Sequence, residues 1–189
     1  MNDKRFDPAR IAKLDNPERR KNLPPEQLLD LLGLTGSEDI LDVGAGGGYF
    51  TFPAVERTSG IVYALDAQSA MLEYLKSRME EQKIGRIKII EGEAEHIPME
   101  DEKVDAVICS MVLHEVDPPD QGLREIQRVL KKGGRALCIE WEHVETESGP
   151  PQNHRISSSE MSRVLEGMGF KVLSRQPWTE AFYSIVFEK

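Results

Sequence analysis

The sequence predicts an α/β fold with a doubly wound, seven-stranded, mostly parallel sheet whose last strand is antiparallel. Short β-branched apolar runs alternate with longer amphipathic segments along the chain, which is the pattern of a parallel sheet covered by helices on both faces. The length of 189 residues suits one domain with a single core. We therefore expect one folding unit over residues 1–189.

The predicted strands are short apolar runs bounded by turn residues. They comprise residues 39–43, 61–65, 87–91, 106–110, 135–140, 171–175 and 182–187. The last two are separated by a connection around Pro177 and Trp178. We expect these two strands to form an antiparallel pair at one end of the sheet.

The predicted helices are the amphipathic segments between the strands. They comprise residues 25–32, 50–57, 69–81, 121–130 and 159–168. We expect Ser69 to cap the third helix, residues 132–134 (Lys-Gly-Gly) to end the fourth, and residues 167–169 (Gly-Met-Gly) to end the fifth.

The charge of the chain disfavours nucleic acid as a partner. The net charge is −9, whereas affinity for nucleic acid comes from neutralising phosphates. The basic cluster Arg19-Arg20-Lys21 is small enough to be a solvated helix face. No apolar run approaches the roughly 20 residues that span a bilayer, and the first residues lack the apolar core of a signal peptide. We expect a cytoplasmic protein with no membrane span.

The two cysteines, Cys109 and Cys138, both lie inside apolar runs. A thiol in such a run is typically a small buried side chain rather than a redox group. The spacing of the His and Cys residues suits no zinc site, so we expect no metal.

A glycine-rich turn is the strongest single feature of the sequence. Residues 40–50, ILDVGAGGGYF, run from a predicted strand into glycines and then into a helix. Glycine permits positive φ and close approach of backbone amides to a ligand, but such turns also serve purely structural purposes. The next strand ends at Asp66, where dinucleotide-binding folds place the carboxylate that grips a ribose. Asp66 is alternatively a residue that opens the turn before the third helix.

Four sequence blocks in order resemble the class I S-adenosylmethionine-dependent methyltransferase superfamily. They are LDVGAGGGYF, VYALDAQSAML, EGEAEHIPMEDEKVDAVICSMVLHEV and LREIQRVLKKGGRALCIEW, and they cover about residues 39–141. The superfamily pattern G-x-G-x-G is met by Gly44, Gly46 and Gly48, whereas a nicotinamide-type G-x-G-x-x-G needs glycine where this chain has Tyr49. The resemblance implies a Rossmann-like fold and S-adenosylmethionine as cofactor.

The resemblance also implies a role for each matching position. The segment 42–48 would face the methionine part of the cofactor, Asp66 the ribose hydroxyls, Glu93 and Ala94 the adenine, and the end of the fourth strand the methionine amine. At the position of Glu93 the superfamily often has Asp. The implied cofactor-binding residues are Asp42, Gly44, Ala45, Gly46, Gly48, Asp66, Ala67, Glu93, Ala94, Ser110 and Met111.

Within the superfamily, the chain most resembles methyltransferases of the ubiquinone and menaquinone biosynthesis type, the methyltransferase type 11 group. The similar start, FDPARIAKLDNPERRKNLPPEQLL, suggests an N-terminal helical cap over residues 1–35, with the Rossmann-like core at 36–189. The acceptor is expected to be a small molecule, but a shared fold does not identify it. The type of methylation and the oligomeric state also stay open.

Methyl transfer from a sulfonium is an in-line displacement that depends mainly on alignment, which contributes roughly 7–11 kcal/mol in well-oriented reactions. A base is needed only if the acceptor carries a proton. The first candidate is His114, which follows the fourth strand. The alternative is that His114 caps a backbone group or packs under the cap.

Other residues near the strand ends are candidates for the acceptor site. Glu140, Trp141 and His143 follow the fifth strand and are expected at its rim, with packing the simpler role for Trp141. Glu115 is expected to be a solvated or capping carboxylate. The pair His154-Arg155 closes the loop 142–155 and either binds an anionic substrate or is solvated. The acceptor site would lie between the N-terminal segment, His114, Trp141 and this loop.

Three other functions compete with small-molecule methylation. A nicotinamide-dependent oxidoreductase is opposed by Tyr49 and by the short chain. A methyltransferase-like subunit that binds cofactor and supports a partner stays open. Protein methylation ranks low because the chain has no evident peptide-binding extension.

Overall fold

The computed structural model describes residues 16–147 and 149–189. Residues 1–15 of the expected cap, and Ser148 of the loop 142–155, lie outside the described residues. The helices are α1 (Pro17–Asn22), α2 (Pro25–Asp30), α3 (Thr51–Val55), α4 (Ser69–Gln82), α5 (Pro119–Val129) and α6 (Ser158–Gly167). The strands are β1 (Ile40–Val43), β2 (Val62–Asp66), β3 (Ile87–Glu91), β4 (Val104–Ser110), β5 (Leu130–Trp141), β6 (Lys171–Pro177) and β7 (Phe182–Glu188).

The seven strands form one sheet in the order β3-β2-β1-β4-β5-β7-β6. Strands β1 to β5 run parallel, and β7 is antiparallel to both β5 and β6. The predicted fold class and the antiparallel pair at the end are confirmed. The strand order reverses between β1 and β4, and the crevice outside the carboxyl ends of strands at such a point is where ligands bind in this kind of sheet.

The central strands of the sheet are buried on both faces, as their near-continuous apolar sequences require. All four residues of β1 and all five of β2 are buried. Alternate residues enter opposite clusters, so that Leu41 and Val43 pack on one face whereas Ile40 and Ala64 pack on the other. The central strands therefore hold the segments that follow them in fixed positions at the edge of the sheet.

Two of the predicted helix-end signals are wrong. The fourth predicted helix ends at Val129, before residues 132–134, which belong to β5. They join the sheet because they pair with Lys189. The amide of Gly133 donates to the carbonyl of Lys189, and the amide of Lys189 donates to the carbonyl of Gly134. Ser69 begins α4 but does not cap it, because its hydroxyl donates to Glu91 instead. Gly169, at φ 90°, follows the end of α6 as predicted.

The short helix α1 lies within the segment expected to form a helical cap, but it was not among the individual helices predicted, although its start carries a capping signal. Asn16 accepts a hydrogen bond from the amide of Arg19 at 2.9 Å, and Pro17 occupies the first helical position. The segment is held to the core by the buried side chain of Leu23. The hydroxyl of Tyr49 donates to the carbonyl of Leu23 at 2.7 Å. The part of the cap that the structure describes is thus attached directly to the glycine-rich turn.

Both cysteines are buried and free, as the sequence suggested, and burial raises the pKa of each thiol. Within residues 16–147 and 149–189, no group of three or more His, Cys, Asp or Glu residues is placed to hold a metal ion. In the same part of the chain, no helix combines the length and apolarity needed to cross a bilayer.

Candidate active site

A cavity of about 1090 Å³ opens at the carboxyl ends of the parallel strands. Its lining combines the segments after β1, β2, β3, β4 and β5 with α1 and the β6–β7 connection. All of the cofactor residues implied by the sequence line it except Gly48. They are Asp42, Gly44, Ala45, Gly46, Asp66, Ala67, Glu93, Ala94, Ser110 and Met111. Their contact with cofactor stays a prediction.

The first and last glycines of the G-x-G-x-G turn, Gly44 and Gly48, leave space for different neighbours. At Gly44, with φ 68°, a Cβ atom would overlap the side chain of Val112, which also lines the cavity. At Gly48, with φ 88°, a Cβ atom would lie 2.5 Å from Phe52 and 2.6 Å from Leu75. Gly44 therefore preserves the shape of the cavity wall, whereas Gly48 lets α3 and α4 pack closely against the turn.

Asp66 connects the glycine turn to the end of β2. One carboxylate oxygen accepts from the amide of Gly46 and the other from the amide of Gln68, each at 2.9 Å. The second bond is the local turn that the sequence left as an alternative role. A carboxylate offers about four acceptor sites, so holding these two backbone groups is compatible with binding ligand hydroxyls as well.

Asp42 is a second carboxyl group at the bottom of the cavity. It is buried, and the hydroxyl of Thr51 donates to it at 2.6 Å. Burial, with a smaller contribution from the charge of Asp66, raises the pKa of Asp42 to about 7, although the Thr51 hydrogen bond and Arg19 oppose the shift. A cationic ligand at this place would favour the charged carboxylate.

The end of β4 brings a strained residue and an unpaired hydroxyl to the cavity. Met111 has φ 59°, which is uncommon for a residue with a side chain, and its amide donates to the carbonyl of Ile139 at 2.9 Å. Within the described residues, Ser110 Oγ is the one buried side-chain polar atom without a hydrogen-bond partner. A buried polar atom that lines a cavity and lacks a partner calls for one from a ligand.

His114 lies in a 3₁₀ turn, Leu113–Glu115, directly after this strand end. Its Nδ1 is 2.8 Å from Oε2 of Glu140, and its Nε2 is 4.0 Å from Oε1 of Glu115. Burial lowers the pKa of His114, but the charge and hydrogen bond of Glu140 and the charge of Glu115 outweigh it. The pKa of the imidazole is therefore raised above its usual 6.5.

The rim differs from the sequence-based expectation at three residues. Glu140 is 1% exposed and lies behind His114, outside the lining, and His143 is exposed and also outside it. Arg155 is buried rather than solvated. Its guanidinium donates to the carbonyls of Pro150 and Val144 and to the hydroxyl of Thr146 at 2.9, 2.6 and 2.6 Å. Arg155 therefore shapes the loop 142–155, and neither it nor His154 lines the cavity.

Two parts of the lining were missed by the sequence reasoning. Arg19 lines the cavity and lies over the ring of Tyr49, 4.4 Å from its centroid, so the basic cluster is only partly solvated. The β6–β7 connection contributes residues 179–181, and β7 contributes its first residue, Phe182. The ring of Phe182 packs at a tilt against that of Trp141, with centroids 4.4 Å apart, and Trp141 also lines the cavity. The aromatic pair Trp141 and Phe182 offered no sequence signal because its members lie 41 positions apart.

The chain matches the methyltransferase domain family over residues 41–138. This stretch carries the glycine turn, Asp66 and His114. The chain belongs to the methyltransferase domain family. Proteins of this family transfer methyl groups, with S-adenosylmethionine as cofactor. This membership decides against the nicotinamide-dependent oxidoreductase.

Known relatives agree with this membership. The crystal structure of a SAM-dependent methyltransferase from Aquifex aeolicus has a TM-score of 0.89 at 29% identity, covering 97% of this chain and 98% of that one. The ubiquinone/menaquinone biosynthesis C-methyltransferase UbiE of Bartonella henselae is 38% identical over 109 residues, which are 56% of this chain and 42% of that protein. The chain spans about half the length of the relatives of that name.

A further neighbour shows what the fold alone leaves open. The [4+2]-cyclase SpnF has a TM-score of 0.78 at 18% identity, covering 89% of this chain and 80% of that one. A shared sheet is therefore compatible with different reactions, so the function has to be inferred from the site.

Three observations indicate that the site fits S-adenosylmethionine. Ser110 Oγ lacks a partner, and a Cβ at Gly44 would intrude on the cavity wall. Among the described residues, the lining also carries one guanidinium, of Arg19, against a larger set of carboxyl groups. This set comprises Glu18, Asp42, Asp66, Glu93, Glu95, Glu115 and Glu180. Such a lining favours a ligand with a positive sulfur and an ammonium group over one that carries a pyrophosphate.

Two glycine variants separate backbone strain from crowding in this methyltransferase. Gly44 and Gly133 have similar φ values, 68° and 73°, but a Cβ at Gly133 meets nothing within 4 Å. We expect Gly133→Ala to lower the free energy of unfolding by about 1–2 kcal/mol through the left-handed conformation. Gly44→Ala should cost about 1–3 kcal/mol more, because it also overpacks against Val112. Urea unfolding of both variants measures the difference, and equal losses would show that Gly44 is not crowded.

The raised pKa of Asp42 predicts a pH dependence of stability. Between its ordinary value of 3.8 and about 7, the folded state holds a proton that the unfolded state releases. The unfolding free energy therefore falls as pH rises through this window. An asparagine side chain stays neutral and still accepts from Thr51, so Asp42→Asn should flatten this fall. Urea unfolding of both proteins at pH 4 to 8 tests this prediction, because only the wild type has a titrating carboxyl group at position 42. Parallel curves of unfolding free energy against pH would contradict it.

Proposed function

We propose that the chain transfers the methyl group of S-adenosylmethionine to a small-molecule acceptor, with both reactants in the cavity at the carboxyl ends of the strands. The observation that carries this proposal is the convergence of the glycine turn, Asp66 and the unpaired Ser110 hydroxyl on one cavity. These groups lie within the stretch that matches the methyltransferase domain family.

The cofactor would be held by groups from four successive strand ends. Asp42 and the turn Gly44–Ala45–Gly46 would surround its methionine part, with Ser110 and Met111 near the amine. Asp66 and Ala67 would bind the ribose hydroxyls, and Glu93 and Ala94 would meet the adenine. All of these positions line the cavity. Gly48 would support the site by packing rather than by contact.

The bound cofactor supplies a methyl group that is attached to a positively charged sulfur. When the methyl group is transferred, this sulfur becomes a neutral thioether. The protein would align the acceptor with this methyl group. A rigid glycine turn favours such alignment. The glycine turn is fixed by hydrogen bonds from Gly46 to Asp66 and from Ala45 to the carbonyl of Leu65, both at 2.9 Å. Correct positioning of this kind contributes several kcal/mol to catalysis.

The acceptor would occupy the part of the cavity between α1, His114, Trp141 and the β6–β7 connection. Arg19, Trp141 and Phe182 form its walls, and all three lie outside residues 41–138. The name of the UbiE relatives specifies C-methylation in quinone biosynthesis, but the walls that would recognise the acceptor are not part of the matched stretch. The acceptor is therefore proposed only as a small molecule.

His114 is the group best placed to act as a base, because it lines the cavity and, among the described residues, only its Nδ1 has a partner within hydrogen-bonding distance. Its role requires an acceptor that carries a proton. The acidic net charge of −9 supports a metabolite rather than nucleic acid as acceptor, and we propose that the enzyme acts in the cytoplasm.

Asp66 and Glu91 provide a matched pair of carboxylates for testing the cofactor site. They are register partners on neighbouring strands, but Glu91 is exposed and lies outside the lining. We expect Asp66→Ala to weaken binding of S-adenosylhomocysteine by about 1.5–3 kcal/mol, the range for hydrogen bonds to a charged group. Glu91→Ala should leave the affinity unchanged in isothermal titration calorimetry.

Circular dichroism and thermal unfolding of Asp66→Ala control for the loss of its bonds to Gly46 and Gln68. A folded Asp66→Ala protein with wild-type affinity would reduce Asp66 to a residue that holds the turn. Equal losses in both variants would show that the effect comes from the strand ends rather than from the ribose site.

A further inference from the structure

His114 is held by a carboxylate that the cavity does not reach. Glu140, at the end of β5, is 1% exposed, and its Oε2 lies 2.8 Å from Nδ1 of His114. The amide of Trp141 also donates to Oε2 at 3.2 Å, and the amide of His114 donates to Oε1 at 3.4 Å. The backbone of two different segments therefore fixes the orientation of this carboxylate.

We propose that Glu140 is a positioning residue that keeps the proton of neutral His114 on Nδ1, so that Nε2 is the basic nitrogen available to the acceptor. This inference rests on the proposed methyl transfer. It narrows the acceptor to a molecule that loses a proton from oxygen, nitrogen or carbon on methylation, since an acceptor without such a proton needs no base.

The geometry supports this assignment of the two ring nitrogens. A carboxylate without a proton only accepts hydrogen bonds, so the ring nitrogen that faces it has to donate. The other nitrogen, Nε2, is nearest to Glu115, whose carboxylate lies 4.0 Å away and also lines the cavity. The charged groups that act on the imidazole are Glu140 and Glu115, which favour its protonated form, and Arg155, which disfavours it.

The step balances without another reactant. The acceptor atom forms a bond to the methyl carbon while the carbon–sulfur bond breaks and its electron pair goes to sulfur. Nε2 takes the proton from the acceptor atom, and the resulting imidazolium is stabilised by Glu140. The proton then leaves Nε2 for water, which returns His114 to its neutral form. Glu140 keeps its hydrogen bond to Nδ1 throughout and does not contact the acceptor.

Nuclear magnetic resonance of the cofactor-free protein tests the proposal without a known acceptor. The chain has four histidines, and the imidazole signals that disappear in His114→Asn identify His114. Nitrogen-15 shifts at high pH should show that its neutral form carries the proton on Nδ1. In Glu140→Gln, the amide oxygen still accepts from Nδ1 but the charge is lost, so His114 should titrate at lower pH than in the wild type. The signals of His96, His143 and His154 serve as internal controls for the fold of the variant.

A neutral His114 with its proton on Nε2, or an unchanged titration of His114 in Glu140→Gln, would overturn the proposal. The nitrogen-15 shifts of the wild-type protein show which ring nitrogen of His114 carries the proton, so they test the proposal even if Glu140→Gln does not fold. Calorimetry with S-adenosylhomocysteine distinguishes this result from failure of the proposed function. Glu140→Gln should bind it like the wild type, because Glu140 lies outside the lining. A wild-type protein that does not bind it would overturn the methyl-transfer proposal instead.

Discussion

The site depends on the carboxylate of Asp66, which ties two strand ends together. Residues 44 to 48 include three glycines at positive φ, and such a turn has no conformation imposed by side chains. Its position comes from the bond between Asp66 and the amide of Gly46, together with the bond from Ala45 to β2. The buried strands β1 and β2 fix both ends of these bonds. A flexible sequence is thereby held in one shape beside the proposed ribose site.

The two halves of the cavity are built in different ways. The proposed cofactor half consists of turns that directly follow buried strands, and it lies in the stretch that matches the methyltransferase domain family. The acceptor half is assembled from α1, the loop 142–155 and the β6–β7 connection. Its order comes from side chains: Tyr49 binds the carbonyl of Leu23, and Arg155 binds three acceptors of its loop. Substrate choice is therefore expected to change more readily than the cofactor.

Features set by local pattern could be predicted from the sequence, whereas those set by distant contacts could not. The seven strands, the glycine turn and the location of Asp66 follow from apolar runs and turn residues. Residues 132–134 were assigned to a helix end because their pairing with Lys189 lies 55 or more positions away. The pairing of His114 with Glu140 spans 26 positions. The burial of Arg155 depends on nearby acceptors, but these lie in an irregular loop whose path the sequence does not indicate. Neither leaves a periodic signal.

The central claim is that this cavity binds S-adenosylmethionine, and calorimetry on the purified wild-type protein tests it most directly. Titrations with S-adenosylmethionine and with each nicotinamide dinucleotide, oxidised and reduced, are compared under the same conditions. The part of the lining that the structure describes carries one guanidinium against many carboxyl groups. We therefore expect saturable binding of S-adenosylmethionine at one site and weaker binding of both dinucleotides, whose pyrophosphates are repelled. Tighter binding of either dinucleotide would contradict the account.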